Sequence, residues 1–328
     1  MVPWVERPTI TLDLARIRRG EPPDIPPDAV ASAKALLDEV MASIPPRARF
    51  LAYLIALRTG NRFGAEFRAA ARLIDGDPRD IALANISYDL VVGALGCSTV
   101  AVPTPDGPVI ARNMDWWPEE PLARASYVIR CTEGDDWRFS SAGFPGAVGV
   151  VTGLSSRGFA VILNAVTTTD PVCKTGYPVL LHLRRVMEDA ADFDDALAML
   201  SRQKLTTPAL FTLVGSKNDQ RVVVERAPKR HALLWGRMTE PLITTNNYHL
   251  LDLPPSERDD WELSRTSCGR YGRLCELTAR RGNGTPTDDE LLYWLQDEQV
   301  RQEITAQHVL IRSARGEMKL FVPRWLVP

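Results

Sequence analysis

Two short stretches hold the side chains best suited to covalent chemistry: Gly96-Cys97-Ser98-Thr99 and Ala111-Arg112-Asn113-Met114-Asp115-Trp116-Trp117. Thr104-Pro105-Asp106-Gly107 lies between them, a turn signal with apolar runs on both sides, and predicts a β-hairpin. Centred on Asp106-Gly107, such a hairpin sets residues whose numbers sum to about 213 opposite each other, and a slip of one would reverse the faces. Cys97 then meets Asp115 or Trp116. Opposed Cβ atoms lie about 5 Å apart, so a thiol, a guanidinium and a carboxylate are gathered in one place. An arginine nearby favours the thiolate, the reactive form of cysteine. The same residues also admit a plainer account, a buried cysteine beside a structural Arg112–Asp115 ion pair. Gly96 adds to the first account, because glycine permits backbone conformations in which the next side chain can attack the preceding carbonyl.

Other chemistries are poorly served. Five cysteines (Cys97, Cys131, Cys173, Cys268, Cys275) form an odd set without a CxxC pair, which argues against a disulfide framework and a cysteine zinc site. The four histidines are scattered, HExxH and Walker-type phosphate loops are absent, and no metal or organic cofactor is expected. The 328 residues carry 39 basic and 41 acidic side chains, a net charge of -2, so nucleic acid is not an expected partner. With 45% hydrophobic and 24% charged residues the chain can bury a full-sized core. No run of about 18 or more apolar residues occurs, which excludes a single spanning helix. The first residues lack the basic start and apolar stretch of a secretory signal, so a cytoplasmic location is expected unless a leader was removed beforehand.

The elements that must position these residues fall into two unlike parts. Up to about Gly96 the texture is helical. Ile10, Leu12 and Leu14 alternate as an edge strand, and Pro22-Pro23-Asp24-Ile25-Pro26-Pro27 breaks the chain. Asp28 is expected to cap a helix to about Ala42, with further helices over 47–58, 65–74 and, opened by Asp77-Pro78, from 78 to about 91. From Cys97 the texture is strands: hairpins 97–102/108–113, 147–152/159–164, 210–215/221–225 and 308–313/318–322. Helices are predicted at about 179–190, 193–202, 261–279 and 288–296, the last opened by the capping box Thr287/Glu290. Antiparallel sheets covered by helix layers follow from this pattern. The remaining cysteines, 131, 173, 268 and 275, read as core packing.

Cys97-Ser98-Thr99-Val100-Ala101 with Gly107-Pro108-Val109-Ile110-Ala111-Arg112-Asn113-Met114-Asp115 resembles acid ceramidase and N-acylethanolamine acid amidase, and more distantly choloylglycine hydrolases and penicillin acyltransferases. These are cysteine N-terminal-nucleophile hydrolases. The resemblance extends through residues 9–14, 63–68 and 85–88, Thr245-Asn246 and the closing 308–322 hairpin. It implies an α+β, four-layer αββα N-terminal-nucleophile domain over 97–328, preceded by a helical prosegment, 1–96, that stays as a small subunit after self-cleavage between Gly96 and Cys97. The freed α-amine of Cys97 would act as base for its own thiol, suited to the task by a pKa of about 7.7–8. Arg112 would stabilise the thiolate and orient substrate, and Asp115 would hold the amine. Asn246 and Asn164 are the expected oxyanion donors, each with the alternative of a merely structural asparagine. Asn164 matches the choloylglycine type rather than the eukaryotic lipid amidases. Arg270 matches a late arginine near the site, or else a solvated helix face.

Trp116 and Trp117 are candidates for an acyl pocket, or aromatic filler. The basic-flanked apolar helix 49–58 is either core of the prosegment or a surface for peripheral membrane contact, as in the family's lipid amidases. With no cysteine before Cys97, small and large subunits would associate non-covalently, by packing alone. The expected activity is hydrolysis of a small-molecule linear N-acyl amide with a lipid-like acyl chain, through a thioester on Cys97. Two alternatives stand beside it: an acyltransferase delivering the acyl group to an amine in biosynthesis, and a non-catalytic lipid-binding protein.

Overall fold

The computed structural model describes residues 3–91, 96–251, 262–281 and 284–327. The amino-terminal part opens with two short strands, β1 (Trp4–Glu6) and β2 (Thr9–Asp13), and a short helix α1 (Leu14–Arg18) capped by Asp13. Helices α2 (Pro27–Ala42), α3 (Leu51–Arg58), α4 (Gly64–Leu73), α5 (Pro78–Ala84) and α6 (Ser87–Val91) follow. Pro27 occupies the first turn of α2 and Pro26 its cap position, so Asp28 lies inside the first turn and is not the expected cap. The predicted 47–58 helix begins with a 3-10 turn, Pro46–Phe50. The predicted 78–91 helix breaks at Asn85. There the side chain accepts from the N–H groups of Val148 (2.7 Å) and Gly149 (2.8 Å) and donates to the carbonyl of Ile81 (2.9 Å). The same bonds explain why 147–151 is not the strand expected from its alternation.

The rest of the chain supplies two sheets. One has the order β1-β14-β13-β4-β3-β12, with β3 (Gly96–Val102), β4 (Val109–Asp115), β12 (Leu242–Thr244), β13 (Thr305–Arg312) and β14 (Glu317–Pro323). The other has the order β11-β10-β9-β8-β7-β6-β5-β2, built from β5 (Tyr127–Glu133), β6 (Asp136–Gly143), β7 (Thr152–Ser155), β8 (Ala160–Asn164), β9 (Ala209–Val214), β10 (Arg221–Arg226) and β11 (His231–Trp235). Their inner faces meet through Ala101, Ile110, Val128, Ala160, Ile162, Val309 and Ile311, all buried. The outer face of the first sheet is covered by α10 (Glu262–Ala279) and α11 (Asp288–Gln296), through Leu274, Leu277, Leu291 and Leu295. Helices α8 (Val179–Asp189) and α9 (Phe193–Arg202) cover the second sheet, and α7 (Glu119–Ala125) follows the central hairpin. This is the expected four-layer αββα arrangement. The predicted hairpins at 210–225 and 308–322 and the Thr287/Glu290 box are present; residue 261, the expected start of α10, lies outside the described residues.

The amino-terminal part is woven into both sheets: β1 is an edge strand of one, and β2 pairs in parallel with β5 at the edge of the other. The helix at 49–58 is not core: Phe50, Tyr53 and Leu57 are exposed and Ile55 alone of α3 is buried.

Candidate active site

The hairpin β3–β4 sets the site. Its turn is centred on Pro105-Asp106, with proline in the second position and Gly107 at φ 94° in the fourth, closed by the Gly107 N–H on the Thr104 carbonyl at 3.1 Å. The register therefore sums to 211, two less than expected: Cys97 faces Met114, Thr99 faces Arg112 and Gly96 faces Asp115. A shift of two keeps the faces, so Cys97 and Arg112 still share the inner one.

Both are buried there. A guanidinium nitrogen of Arg112 donates to Cys97 Sγ at 3.0 Å and to the carbonyl of Leu163 at 3.1 Å, and the other terminal nitrogen donates to Thr152. The bonds to β7 and β8 hold the guanidinium against the sulfur. No histidine among the described residues contacts the thiol; His308 bonds Asn113 and Gln296 on the outer face, where burial pulls its pKa down to about 3.

Arg270 reaches in from α10, buried. It donates to the carbonyl of Cys97 (2.6 Å), to Ser98 Oγ (2.9 Å) and to Asn246 Oδ1 (2.6 Å). The solvated-face alternative for it is thereby corrected. Asn246 Oδ1 also accepts from the Cys97 N–H at 3.2 Å, and its amide nitrogen donates to the Ala165 carbonyl at 2.7 Å. Two donors on one oxygen fix the amide's orientation. Asn164 differs. Both its amide hydrogens are used, on the carbonyls of Thr244 (3.1 Å) and Thr245 (3.0 Å), and its oxygen accepts from Thr99 (2.9 Å). Here it braces β8 against β3 and β12, while Asn246 keeps one amide hydrogen unassigned among the described residues.

Asp115 lies on the outer face at the end of β4. Thr305 donates to Oδ1 at 2.6 Å, whereas Oδ2 has no partner among the described residues. Burial raises the pKa of the Asp115 carboxyl, against the lowering pull of Arg270, the Thr305 bond and Arg112. A Cβ on Gly96 would stand 3.1 Å from Oδ2. Gly96 is thus in extended backbone and is small because Asp115 crowds it, rather than because of an unusual φ.

Trp116, buried, and Trp117, half exposed, line a cavity of about 70 Å³ with Met114, Leu36, Val40 and Phe144, so both candidates face one apolar space shared with α2 of the amino-terminal part. Cys268, expected in the core, is exposed. Sequence reasoning missed Thr305, Thr152 and Ser267, whose hydroxyl accepts from the Asn246 N–H at 2.9 Å. Strand order brings in Thr305 and Thr152, and packing of α10 brings in Ser267, neither of which any local pattern contains. Among the described residues no cluster of three His, Cys, Asp or Glu could hold a metal ion.

Residues 102–289, more than half of the chain, match the model of the family described as acyl-coenzyme A:6-aminopenicillanic acid acyl-transferase. The chain belongs to that family. It is 24% identical over 258 residues to acid ceramidase of Balaenoptera acutorostrata scammoni, covering 69% of this chain and 63% of the relative. It is 27% identical over 157 residues to an N-acylethanolamine-hydrolyzing acid amidase of Caenorhabditis elegans, covering 43% of this chain and 44% of the relative. The chain thus spans less than two thirds of the length of either curated relative. Among solved structures, the C. elegans ortholog of that amidase superposes with a TM-score of 0.54 at 20% identity, over 66% of this chain and 93% of the other. The shared fold is the N-terminal-nucleophile hydrolase fold expected from the sequence.

Proposed function

We propose that the chain is a self-processing cysteine amidase that hydrolyses small-molecule N-acyl amides. The observation that carries the reading is a buried thiol 3.0 Å from a braced guanidinium, at a residue whose own N–H and C=O are held by Asn246 and Arg270. In the first step Cys97 Sγ attacks the Gly96 carbonyl and the Gly96–Cys97 amide bond breaks. The acyl group moves to sulfur, and water hydrolyses the thioester to leave a Gly96 carboxyl and a free Cys97 α-amine. In each later turnover that amine takes the thiol proton and the thiolate adds to the substrate amide. The spare Asn246 amide hydrogen steadies the oxyanion, a contribution of roughly 3–4 kcal/mol in comparable sites. The Cys97 ammonium returns its proton to the substrate nitrogen, the C–N bond breaks and the substrate's amine departs. Water then releases the acid from the thioester. Asp115, with an unpartnered oxygen beside Gly96, receives the new ammonium.

Names of relatives support an amide substrate with a lipid-like acyl group, and the cavity behind Trp116 has a largely apolar lining. Lipid supply follows from α3: Phe50, Tyr53 and Leu57 point outward between Arg47 and Arg58, a face fitted to a bilayer surface. The family description favours a second reading, transfer of the acyl group to an amine. Intact mass of the purified chain beside Cys97→Ala tests the first step at pH 4.5 and 7.5. Two fragments parting at Gly96–Cys97 in the wild type alone are expected; an uncut wild type at both pH values defeats the mechanism. Product analysis with added amines then separates the readings, since hydrolysis yields only free acid.

A further inference from the structure

Gln307 stands on the same face and in the same register as the nucleophile. Cys97 on β3 faces Met114 on β4, and Met114 faces Gln307 on β13. At about 5 Å per cross-strand step, the Cβ atoms of Cys97 and Gln307 are roughly 10 Å apart along one row of the sheet. A β-bulge between Thr305 and Gln307 makes this possible. Residues two apart on a regular strand share a face; the extra residue turns Thr305 outward to Asp115 and leaves Gln307 lining the apolar cavity.

The orientation of the Gln307 amide is fixed by its neighbour. Ser126 spends its hydroxyl proton on the Leu122 carbonyl (2.6 Å), so it can only accept from Gln307 Nε2, at 2.7 Å. Gln307 Oε1 is then the atom left over. It is buried, in a side chain 1% exposed, and has no partner among the described residues. A buried acceptor without a donor is costly to keep. Leu36, Val40, Leu122 and Phe144 on the cavity wall are apolar, and Asn85, Ser87, Trp116 and Trp117, which also line it, make no hydrogen bond to Oε1.

We propose that Gln307 selects an acyl group bearing a hydrogen-bond donor, a hydroxyl on the chain, at the point where an acyl group attached to Cys97 and lying over Met114 passes Oε1. This deepens the amidase reading and rests on it for the chain's direction. A hydroxyl there satisfies the acceptor, while an unsubstituted chain buries it unpaired.

The test separates binding from turnover. A positional series of monohydroxydecanoic acids and decanoic acid itself, products that an amidase does not turn over, are titrated into the purified wild type after incubation for cleavage, and into its Gln307→Leu and Gln307→Met variants treated alike. One isomer should bind roughly tenfold or more tighter than decanoic acid, and either Gln307 substitution should erase that preference. Equal binding across the series, or a preference that survives both substitutions, overturns the inference without recourse to any variant's folding in the first case. The corresponding amides are then offered to the wild type. Turnover without regard to the hydroxyl sinks the inference and leaves the amidase reading standing. Selective binding with no amide cleaved leaves the acceptor standing and sinks the amidase reading.

Discussion

Asp115 and Cys97 point to opposite faces of the hairpin, yet they meet at its end. Gly96 lies across from Asp115, and Oδ2 is left without a hydrogen bond while Thr305 fills Oδ1. A buried carboxylate with an empty lone pair awaits a donor, and the ammonium released at Cys97 would be one. Thr305 holds the carboxylate in place until then. Thr305→Val should slow appearance of the cut fragments about tenfold or more, and Thr305→Ser should restore the rate, followed by intact mass against time. Equal rates for all three chains would remove Thr305 from the positioning of Asp115. At this scale the sequence is legible only locally. Cys97, Arg112 and Asp115 lie within one hairpin and were found by the spacing around its turn. Arg270 and Asn246 came only from family resemblance. Thr305, Thr152 and Ser267 arrive from distant segments by sheet order and helix packing, which nothing near Cys97 in the chain encodes.

The elements carry the same lesson. The Pro105-Asp106 centre of the turn moved the expected register by two residues, because proline fits the second position of the turn rather than the first. The strands themselves were found where alternation and a turn coincide, as at β9–β10; β12 and β1, three residues each, are too short to show a period. Apolar content misleads in α3. A run apolar on nearly every side reads as core, but the helix buries only Ile55 and roofs a groove of about 620 Å³ toward Ile86 and Pro178. Large exposed apolar side chains on one face call for a covering phase. Moving each into lipid gains roughly 1.5–3 kcal/mol. The combined Phe50→Ser, Tyr53→Ser, Leu57→Ser chain should therefore lose at least about a hundredfold in binding to anionic vesicles in a flotation assay. Binding unchanged by the three substitutions would assign the face to something other than a bilayer.

At the scale of the whole molecule, the proposed cut raises the question of what would keep the two pieces together. Packing alone was the expectation, and packing there is, through β1, β2 and a cluster in which Phe63, Phe67 and Ile81 meet Tyr177 and Leu181. An ionic cluster joins the same surfaces. From the amino-terminal part, Arg18 reaches Glu188 at 2.6 Å, Arg62 reaches Glu188 and Asp189 at 2.6 Å, and Glu66 meets Arg184 at 2.8 Å. Burial pushes the pKa of Glu188 up, but Arg184, Arg18 and the bonds from Arg62 and Arg184 outweigh it and bring it down to about 2. A carboxyl depressed in the fold stabilises above its ordinary value and ceases to as pH falls through the folded one. From 4.5 to about 2 that is on the order of 3 kcal/mol for the whole cluster, lost on acidification. Arg184, on the same helix as Glu188, supplies part of it, and the share from Arg18 and Arg62 acts between the pieces. The cut wild type should hold together on gel filtration at pH 5 and fall apart as pH drops from about 4 toward 2. Glu188→Gln should flatten that dependence, leaving a complex that is weaker at pH 5 and less sensitive to acid. If the two chains dissociate along the same pH curve, the cluster does not join the pieces, and the paired strands and the apolar contacts of α4 and α5 with α8 hold them together by themselves.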